Sequence, residues 1–455
     1  MSTNRLFKSK VGLIAATVGS AVGLGNIWRF PAETQANGGA AFLLLYICCI
    51  FILGIPVMLA EFSLGRGGRS DSVTVFNKLS PGKSWWLVGA AGILASCLIA
   101  CFYMVVEGWT LQYFWNSLTG DLYAGADLSN SAAADEFFTG KMTDYIFSPL
   151  QPVIFTALVI LINLGVLMGG VQKGIERLSN VLMPVLFVVL VVLCCVTLSL
   201  PGASAGVEWF LSPDFSKITP MTVVNALGQC FFSLSLGMGI LITYGAYYPS
   251  DTRLTRTSVI VACMTLLVAL LVGFVIFPAV ASFGLSDHSL RGVTLVFQTL
   301  PEVFTRIPGT QLWSILFFFL LFAAALTSTV SSTEVIIAFL QDKFGMSRLK
   351  ACCVALLPLL PCSALCSLSF SSLRGFTIFG LNLFDFLDTV STNIMLPLVA
   401  IGVCVYIGWF APRGLLKSQL SNEGTIRSRI TGFVIFVVRY LAPVLIATIL
   451  ITNFI

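Results

Sequence analysis

The feature that most constrains the fold of this 455-residue chain is a series of long apolar stretches separated by short polar connections. Each stretch has roughly 18 residues or more with few charges, the length an α-helix needs to cross a bilayer. Apolar residues make up 57% of the chain and charged residues 10%, too few charges for the surface of a soluble domain of this size. The sequence therefore predicts an all-α, polytopic membrane protein that forms a single transmembrane domain over residues 1–455.

The apolar stretches predict eleven membrane spans. They lie near residues 10–36, 40–65, 85–118, 149–169, 175–200, 220–246, 257–283, 311–339, 350–369, 384–410 and 431–454. With the N-terminus inside, 18 of the 25 Lys and Arg residues fall in cytoplasmic segments and five fall outside. The positive-inside rule thus predicts a multi-pass protein of the cell inner (plasma) membrane, with a cytoplasmic N-terminus and an outside C-terminus. The net charge of +5 reflects this topology, and no nucleic-acid partner is expected.

Residues that carry enzyme chemistry are scarce. The chain has one histidine, and its 13 cysteines all fall inside predicted spans, where thiols commonly pack as small apolar groups. No motif of a serine hydrolase, a nucleotide-binding loop or an EF-hand occurs. Two intramembrane acids, Glu61 and Glu107, are interpreted as buried, hydrogen-bonded structural groups. The sequence therefore predicts that the protein is not an enzyme.

Two of the predicted spans contain runs that break a helix. Span 1 holds "GSAVGLGN", Gly19 to Asn26, and span 6 holds "SLSLGMGI", Ser233 to Ile240. Each opens a block of five spans, residues 10–200 and 220–410, and because five is odd the second block is inverted relative to the first. Paired glycine-interrupted spans in two inverted halves indicate a transporter binding site. The alternative is that both runs are helix-packing glycines.

A break in a membrane helix frees backbone groups that favour particular ligands. Glycine lowers the cost of leaving helical geometry, and the freed backbone groups must find partners because lipid offers none. The new helix N-terminus favours a carboxylate, whereas freed carbonyls favour an amine or a cation such as Na⁺. The breaks therefore predict a site for a zwitterion together with cations.

Several motifs in order along the chain resemble the neurotransmitter:sodium symporter family, in its bacterial amino-acid branch. They are "GSAVGLGNIWRFP", "NGGAAF", "GIPVMLAEFSLGR", "VEGWTL", "QCFFSLSLGMG" and "FDFLDTVST". The resemblance covers about residues 5–410. It implies a 5+5 inverted-repeat core with broken helices 1 and 6, which couples Na⁺ entry to substrate uptake by alternating access, plus an eleventh transmembrane helix at 429–455.

The resemblance also implies ion sites. One sodium site, called the second site, maps onto Gly19, Val22, Ala324, Thr327 and Ser328. The other, called the first site, maps onto Ala21, Asn26, Ser233 and Thr265, where relatives carry Asn or Asp in place of Thr265. Relatives can also carry an acid on span 7, but Thr265 and Ala269 are both neutral. Either one Na⁺ therefore suffices, or chloride binds near Tyr46, Gln229, Ser233 and Ala269. The alternative for Thr327 and Ser328 is that their hydroxyls bond back to carbonyls of their own helix.

The substrate contacts implied by the resemblance come from four spans. They are Ala21, Leu24, Gly25, Ile99, Tyr103, Phe232, Ser233, Ser235, Met238, Ser328 and Ser332. Monoamine carriers of the family have aspartate where this chain has Gly23, so its substrate is expected to bring its own carboxylate. Met238 and Ser332 leave room for a large substrate side chain, and no charged residue is expected at that end of the pocket. A neutral, bulky or aromatic amino acid is therefore predicted. The alternatives are that the same fold carries a small neutral amino acid, or that the protein is a channel-like ion conductor.

Two gates complete the expectations from the resemblance. Arg29 and Asp388 are expected to form the outer gate, directly or through water. Arg5 and Asp342, with Tyr247 nearby, are expected at the inner face, although Arg5 also fits an ordinary positive-inside arginine. The membrane lipid is a further partner, and the oligomeric state is left open.

Overall fold

The chain folds almost entirely into helices. The structure is a computed structural model, and it describes residues 6–126, 131–284 and 295–452. Within those ranges, extended backbone pairs only at two isolated bridges, Gly39 with Pro213 and Ile378 with Leu381. The predicted all-α class is confirmed.

Nine helices of the described ranges are long and apolar enough to cross a membrane. Their bounds are Ala40–Gly68 (span 2), Trp86–Thr119 (span 3), Gln151–Met168 (span 4), Val171–Leu198 (span 5), Leu254–Ser282 (span 7), Thr310–Phe344 (span 8), Arg348–Leu368 (span 9), Leu383–Phe410 (span 10) and Thr431–Thr452 (span 11). Several contain a π-helical turn, such as Tyr406–Phe410 in span 10 and Val437–Leu441 in span 11. Such turns shift side chains out of the regular helical register.

Span 1 is a bent pair, and it brings the number of membrane-length helices in the described ranges to ten. Its halves, Lys10–Ala21 and Gly25–Ala36, meet at 55°. Span 6 consists of Pro220–Ser233 and Ile240–Tyr247, with 14 and 8 residues, each too short to cross alone. The total of eleven crossings, the repeat bounds and the orientation therefore stay predictions from the sequence.

The break in span 6 depends on two glycines with left-handed backbone. Gly237 and Gly239 have φ values of 79° and 74°, which glycine adopts without a steric penalty. A Cβ on Gly237 would lie 2.4 Å from the Leu396 carbonyl oxygen, so span 10 packs directly against the break. On the other side, the Gly237 N–H donates to Glu61 Oε1 at 2.8 Å. Glu61 thus satisfies a backbone donor that the break frees, as expected for a structural acid.

Spans 3 and 8 pack along each other, and span 2 packs against the second half of span 6. The latter contact is close, since a Cβ on Gly65 would lie 1.9 Å from the Ile242 carbonyl oxygen. These long spans hold the two broken spans in the centre of the molecule. Shorter helices connect the spans: Thr74–Leu79, Ser131–Phe147, Ala203–Leu211, Phe215–Lys217, Leu295–Thr299 continued by Leu300–Thr305, and Leu415–Leu420.

Candidate functional site

A cavity lies where the breaks of spans 1 and 6 face spans 3 and 8. The space outside the protein atoms there, including volume open to solvent, is about 450 Å³. Ten of the eleven substrate contacts expected from the sequence line it: Ala21, Gly25, Ile99, Tyr103, Phe232, Ser233, Ser235, Met238, Ser328 and Ser332. Ser20, Gly23 and Ile240 also line it, and the sequence analysis did not include them as contacts. Residues from four separate spans thus converge on one site.

Leu24, the remaining expected contact, takes part through its backbone. Its N–H donates to the Tyr103 hydroxyl at 3.0 Å, which joins the break in span 1 to span 3. Gly23 lies in the same corner, because a Cβ there would come within 2.8 Å of Ser328 Oγ and 3.0 Å of the Tyr103 hydroxyl oxygen. A larger residue at position 23 would therefore occupy the space between spans 3 and 8.

Phe232 closes one side of the cavity. A Cβ on Gly25 would lie 2.2 Å from a ring carbon of Phe232, so the ring rests directly on the span 1 backbone. The Arg29 guanidinium lies 5.2 Å from the centroid of the same ring, within range of a cation–π interaction. The Phe232 ring is therefore held between Gly25 and Arg29.

The two helix breaks are tied to each other and to span 3. The Ser235 hydroxyl donates to the Ser20 carbonyl oxygen at 2.8 Å, across the two breaks. The Ser96 hydroxyl of span 3 donates to the Met238 carbonyl oxygen at 2.6 Å. Both carbonyls belong to irregular or terminal backbone that would otherwise lack a donor in lipid.

Span 1 and span 8 approach each other where the second sodium site is expected. A Cβ on Gly19 would lie 3.2 Å from Thr327 Cβ. The Thr327 hydroxyl donates to the Ala324 carbonyl oxygen at 3.0 Å, the back-bonding that the sequence left open. A hydroxyl that donates in this way keeps its lone pairs for a cation. The Ser328 hydroxyl is buried and has no hydrogen-bond partner among the described residues.

Two of the residues expected at the first sodium site also carry unpaired oxygens. Asn26 Nδ2 donates to the Ala21 carbonyl oxygen at 2.9 Å, whereas Asn26 Oδ1 is buried with no partner in the described part of the chain. Thr265 Oγ1, on span 7, is likewise buried and unpaired there. Span 7 packs against both halves of span 1. Buried oxygens without donors are costly, and a cation satisfies them.

The four residues named for chloride offer few donors. Gln229 Nε2 donates to the Gly25 carbonyl oxygen at 3.1 Å and to Ser233 Oγ at 2.9 Å, which uses both amide protons. Ala269 is fully buried and has no polar side chain. The Tyr46 hydroxyl is buried and unpaired among the described residues, so Tyr46 and Ser233 are the hydroxyl donors left for an anion.

Arg29 has a carboxylate partner that the sequence analysis missed. Its Nε lies 3.8 Å from Glu33 Oε1, one helical turn further along span 1. Asp388 accepts a hydrogen bond from the Thr392 hydroxyl at 3.3 Å, and among the described residues it makes no ion pair with Arg29. Arg29, Phe232 and Thr392 line one further cavity. A role for Arg29 and Asp388 as a gate therefore stays a prediction, with Glu33 as a competing partner. The i,i+4 spacing was the available signal for Glu33.

Of the three residues expected at the inner gate, the structure describes Asp342 and Tyr247. Arg5 lies outside the described residues. Asp342 accepts hydrogen bonds from the Asp71 N–H at 2.9 Å and from the Ser70 hydroxyl at 3.2 Å, so it fixes the connection after span 2. Burial raises the pKa of the Asp71 carboxyl, which lies outside the spans, above its ordinary value.

Tyr247 belongs to a charged cluster that the sequence analysis missed. Its hydroxyl donates to Glu334 Oε1 at 2.8 Å, and Arg348 binds both oxygens of Glu334 at 2.8 and 2.6 Å. Glu334 is completely buried. The available signal was an acid within the hydroxyl-rich run of span 8, since an intramembrane acid requires a partner.

The start of span 1 is fastened beside this cluster. The Phe7 N–H donates to the Tyr247 carbonyl oxygen at 3.2 Å, and Phe7 is buried. Glu176, at the start of span 5, accepts from the N–H groups of Lys8 and Ser9 at 2.8 and 3.0 Å. A carboxylate at a helix N-terminus is stabilising. The N-terminal segment is thereby held to spans 5 and 6.

Two broken central helices around a cavity, held by long apolar spans, define a helical membrane transporter. The profile of the Sodium:neurotransmitter symporter family matches residues 4–146 and 124–455, and the chain belongs to this family. Its transport is accordingly coupled to sodium.

Individual relatives cover nearly the whole chain. An uncharacterized sodium-dependent transporter of Haemophilus influenzae is 35% identical over 464 residues, which span 100% of both chains. The uncharacterized sodium-dependent transporter YhdH of Bacillus subtilis is 33% identical over 91% of this chain and 89% of its own. The crystal structure of MhsT in complex with L-phenylalanine matches with a TM-score of 0.88 and 40% identity, covering 99% of each chain. The predicted transporter fold with broken helices 1 and 6 is thereby confirmed.

Proposed function

We propose that this protein uses inward sodium movement to take up a neutral, bulky hydrophobic amino acid by alternating access. The observation that carries the proposal is the cavity that both helix breaks face. Its described lining contains no Lys, Arg, Asp or Glu. An uncharged cavity flanked by freed backbone groups suits a zwitterion, because the termini of the broken helices supply the complementary partial charges. In the predicted plasma-membrane orientation, with the N-terminus cytoplasmic, sodium and substrate enter together.

The corner formed by Gly23, Leu24 and Tyr103 supports a substrate with its own carboxylate. Gly23 has no side chain to supply a charge, and the Tyr103 hydroxyl, which accepts from the Leu24 N–H, keeps its own proton to donate. A hydrogen bond to a charged group contributes about 1.5–3 kcal/mol. We therefore assign the carboxylate to this corner.

The apolar residues that line the cavity support a bulky apolar side chain. Ile99, Met238 and Ile240 supply apolar surface, and methionine adapts to different shapes. The Ser332 hydroxyl donates back to the Thr329 carbonyl oxygen at 3.0 Å, so this small residue satisfies its own polar group within span 8. The structure of MhsT with L-phenylalanine supports the same substrate class, since that protein is 40% identical to this one.

Buried oxygens support the two sodium sites. Asn26 Oδ1, Thr265 Oγ1 and Ser328 Oγ are all unpaired among the described residues. Two sodium ions with a zwitterion would leave two positive charges, and Thr265 and Ala269 offset neither. The proposal therefore includes either one coupled Na⁺ or chloride stimulation through Tyr46 and Ser233. A measured coupling of two Na⁺ with equal uptake in gluconate and chloride would exclude both.

The test of the substrate is uptake by the purified protein in liposomes with an inward sodium gradient. Tryptophan, phenylalanine, tyrosine, leucine and methionine should compete with a labelled substrate better than glycine or alanine. The variant Met238→Phe should weaken competition by tryptophan more than by leucine, because it removes the adaptable wall. Stronger competition by glycine or glutamate than by every large apolar amino acid would contradict the proposal, as would the reverse order in Met238→Phe.

The test of sodium coupling is a pair of matched double variants. Thr327→Ala with Ser328→Ala should raise the sodium concentration for half-maximal uptake sharply, because two ligand oxygens are lost. Thr448→Ala with Thr452→Ala is the control, since these hydroxyls of span 11 bond back to carbonyls four residues earlier, as the Thr327 hydroxyl does, and do not line the cavity. Unchanged uptake by the wild type when choline replaces Na⁺ would refute sodium coupling itself. An equal effect of both double variants would refute the site.

A further inference from the structure

A second cavity lies between the end of span 10, the connection that follows it and span 11. The space outside the protein atoms there, including volume open to solvent, is about 910 Å³, and the cavity shares no lining residue with the substrate cavity. Its charged lining residues are Arg413, Lys417 and Arg439, and no Asp or Glu is among its described lining residues. Three like charges around one cavity repel one another unless an anion lies between them.

Arg439 is fixed in position but only partly satisfied. Its Nε donates to the Gly408 carbonyl oxygen at 2.6 Å, and its guanidinium lies 4.9 Å from the centroid of the Trp409 ring. The Trp409 indole N–H donates to the Arg439 carbonyl oxygen at 3.2 Å. No hydrogen bond joins Nη1 or Nη2 of Arg439 to another described residue, so four N–H groups keep their capacity.

The surroundings make an unpaired cation here expensive. Arg439 lies within the helix Thr431–Thr452, which is apolar enough to cross a membrane. A charge in such a segment normally pairs with another group or lines a polar cavity. Ile407, Ile435 and Val438 give the same cavity apolar walls. The combination of a cationic site and an adjoining apolar wall fits a ligand with a phosphate and an acyl chain.

We propose that this cavity binds the phosphate group of an anionic phospholipid, held by Arg439 together with Arg413 and Lys417. Basic cavities between membrane helices recognise such headgroups, and tryptophan commonly lies at the same depth. Trp409 is 55% exposed, which leaves its ring available to the lipid. A phosphatidylcholine headgroup carries its own cation, which the three basic residues repel, so the site favours phosphatidylglycerol.

The experiment measures lipid binding to the detergent-purified full chain by native mass spectrometry, with thermal unfolding as a second readout. The probes are phosphatidylglycerol, phosphatidylcholine and inorganic phosphate, each titrated separately. The wild type should bind phosphatidylglycerol most tightly and gain thermal stability from it, because a ligand stabilises the state that binds it. Equal binding of the two lipids would overturn the proposal. Equal protection by inorganic phosphate would also overturn it, since the site would then belong to a soluble anion.

Variants assign the binding to this cavity. Arg413→Gln with Lys417→Gln changes two exposed side chains and should weaken phosphatidylglycerol binding by about 30-fold, about fivefold for each basic residue near a membrane surface. Lys78→Gln with Lys83→Gln is the control, because it removes two exposed charges outside the cavity. An equal loss in both double variants would refute a defined site.

Arg439→Lys separates hydrogen bonding from charge. It retains the cation but loses the planar fork of donors. Phosphatidylglycerol binding should weaken while the unliganded protein keeps its melting temperature. Unaltered binding in Arg439→Lys together with unaltered binding in the Gln double variant would refute the proposal.

Discussion

The partners of Arg29 allow a sharp test of the outer gate. Arg29 Nε and Glu33 Oε1 are 3.8 Å apart, and the two side chains are 33% and 25% exposed. In water two unit charges at this separation attract by about 1 kcal/mol. After side-chain entropy and screening, pairs of this kind contribute about 0.2–1 kcal/mol. Glu33→Gln should therefore change turnover by no more than about fivefold.

Asp388 should matter far more if it meets Arg29 when the site closes over the substrate. A hydrogen bond between charged groups contributes about 1.5–3 kcal/mol, so Asp388→Asn should lower turnover by about 10- to 150-fold. Substrate affinity should change little, because the pair forms after binding. Asp385→Asn is the matched control, since this exposed acid lies one turn earlier on span 10 and accepts a hydrogen bond from Asn382.

The assay compares two measurements on each variant. Uptake into liposomes reports turnover, and equilibrium binding of a labelled amino acid to detergent-purified protein reports affinity. The reasoning predicts a loss of turnover in Asp388→Asn with near-normal binding, and small effects in Glu33→Gln and Asp385→Asn. Wild-type turnover in Asp388→Asn, or an equal loss in Glu33→Gln, would show that Arg29 acts through Glu33 and that Asp388 is not its gate partner.

Two further predictions concern stability, measured by thermal unfolding of the purified protein. Gly65→Ala should destabilise it by about 1–3 kcal/mol or more, because the new Cβ meets the Ile242 backbone oxygen. Gly165→Ala is the control and should be harmless, because its Cβ meets nothing within 4 Å. Equal melting temperatures of the two variants would contradict this packing. Glu334→Gln should cost about 3–5 kcal/mol because it leaves the Arg348 cation without its carboxylate. Adding Arg348→Gln should recover part of that loss, and a strictly additive loss would refute the coupling.

Much of the fold could be predicted from local rules. Apolar runs of bilayer length gave the membrane class, and glycines marked the breaks at residues 19–26 and 233–240, both of which the structure shows. The number of crossings was harder, because each half of span 6 is too short to be recognised alone. The substrate contacts expected in spans 1, 3, 6 and 8 came from the family resemblance, and ten of these eleven residues line one cavity.

Contacts between distant segments could not be predicted from local sequence rules. Local rules did not indicate that span 9 supplies Arg348 to Glu334 or that Arg29 lies on the Phe232 ring. Likewise, Arg439 is visibly a charge in a span, and only packing against span 10 brings it to the Gly408 carbonyl.

The amino-acid sequence by itself determined which segments enter the membrane and where their helices break, because helix length, hydropathy and glycine content act within one segment. Only the tertiary structure decided which buried oxygens stay unpaired, which carboxylate lies beside each arginine and where basic residues gather around a cavity. These outcomes depend on which spans are neighbours and at what rotation about their axes. A polar group in a bilayer takes whatever partner packing brings within reach, and no local pattern encodes that distance.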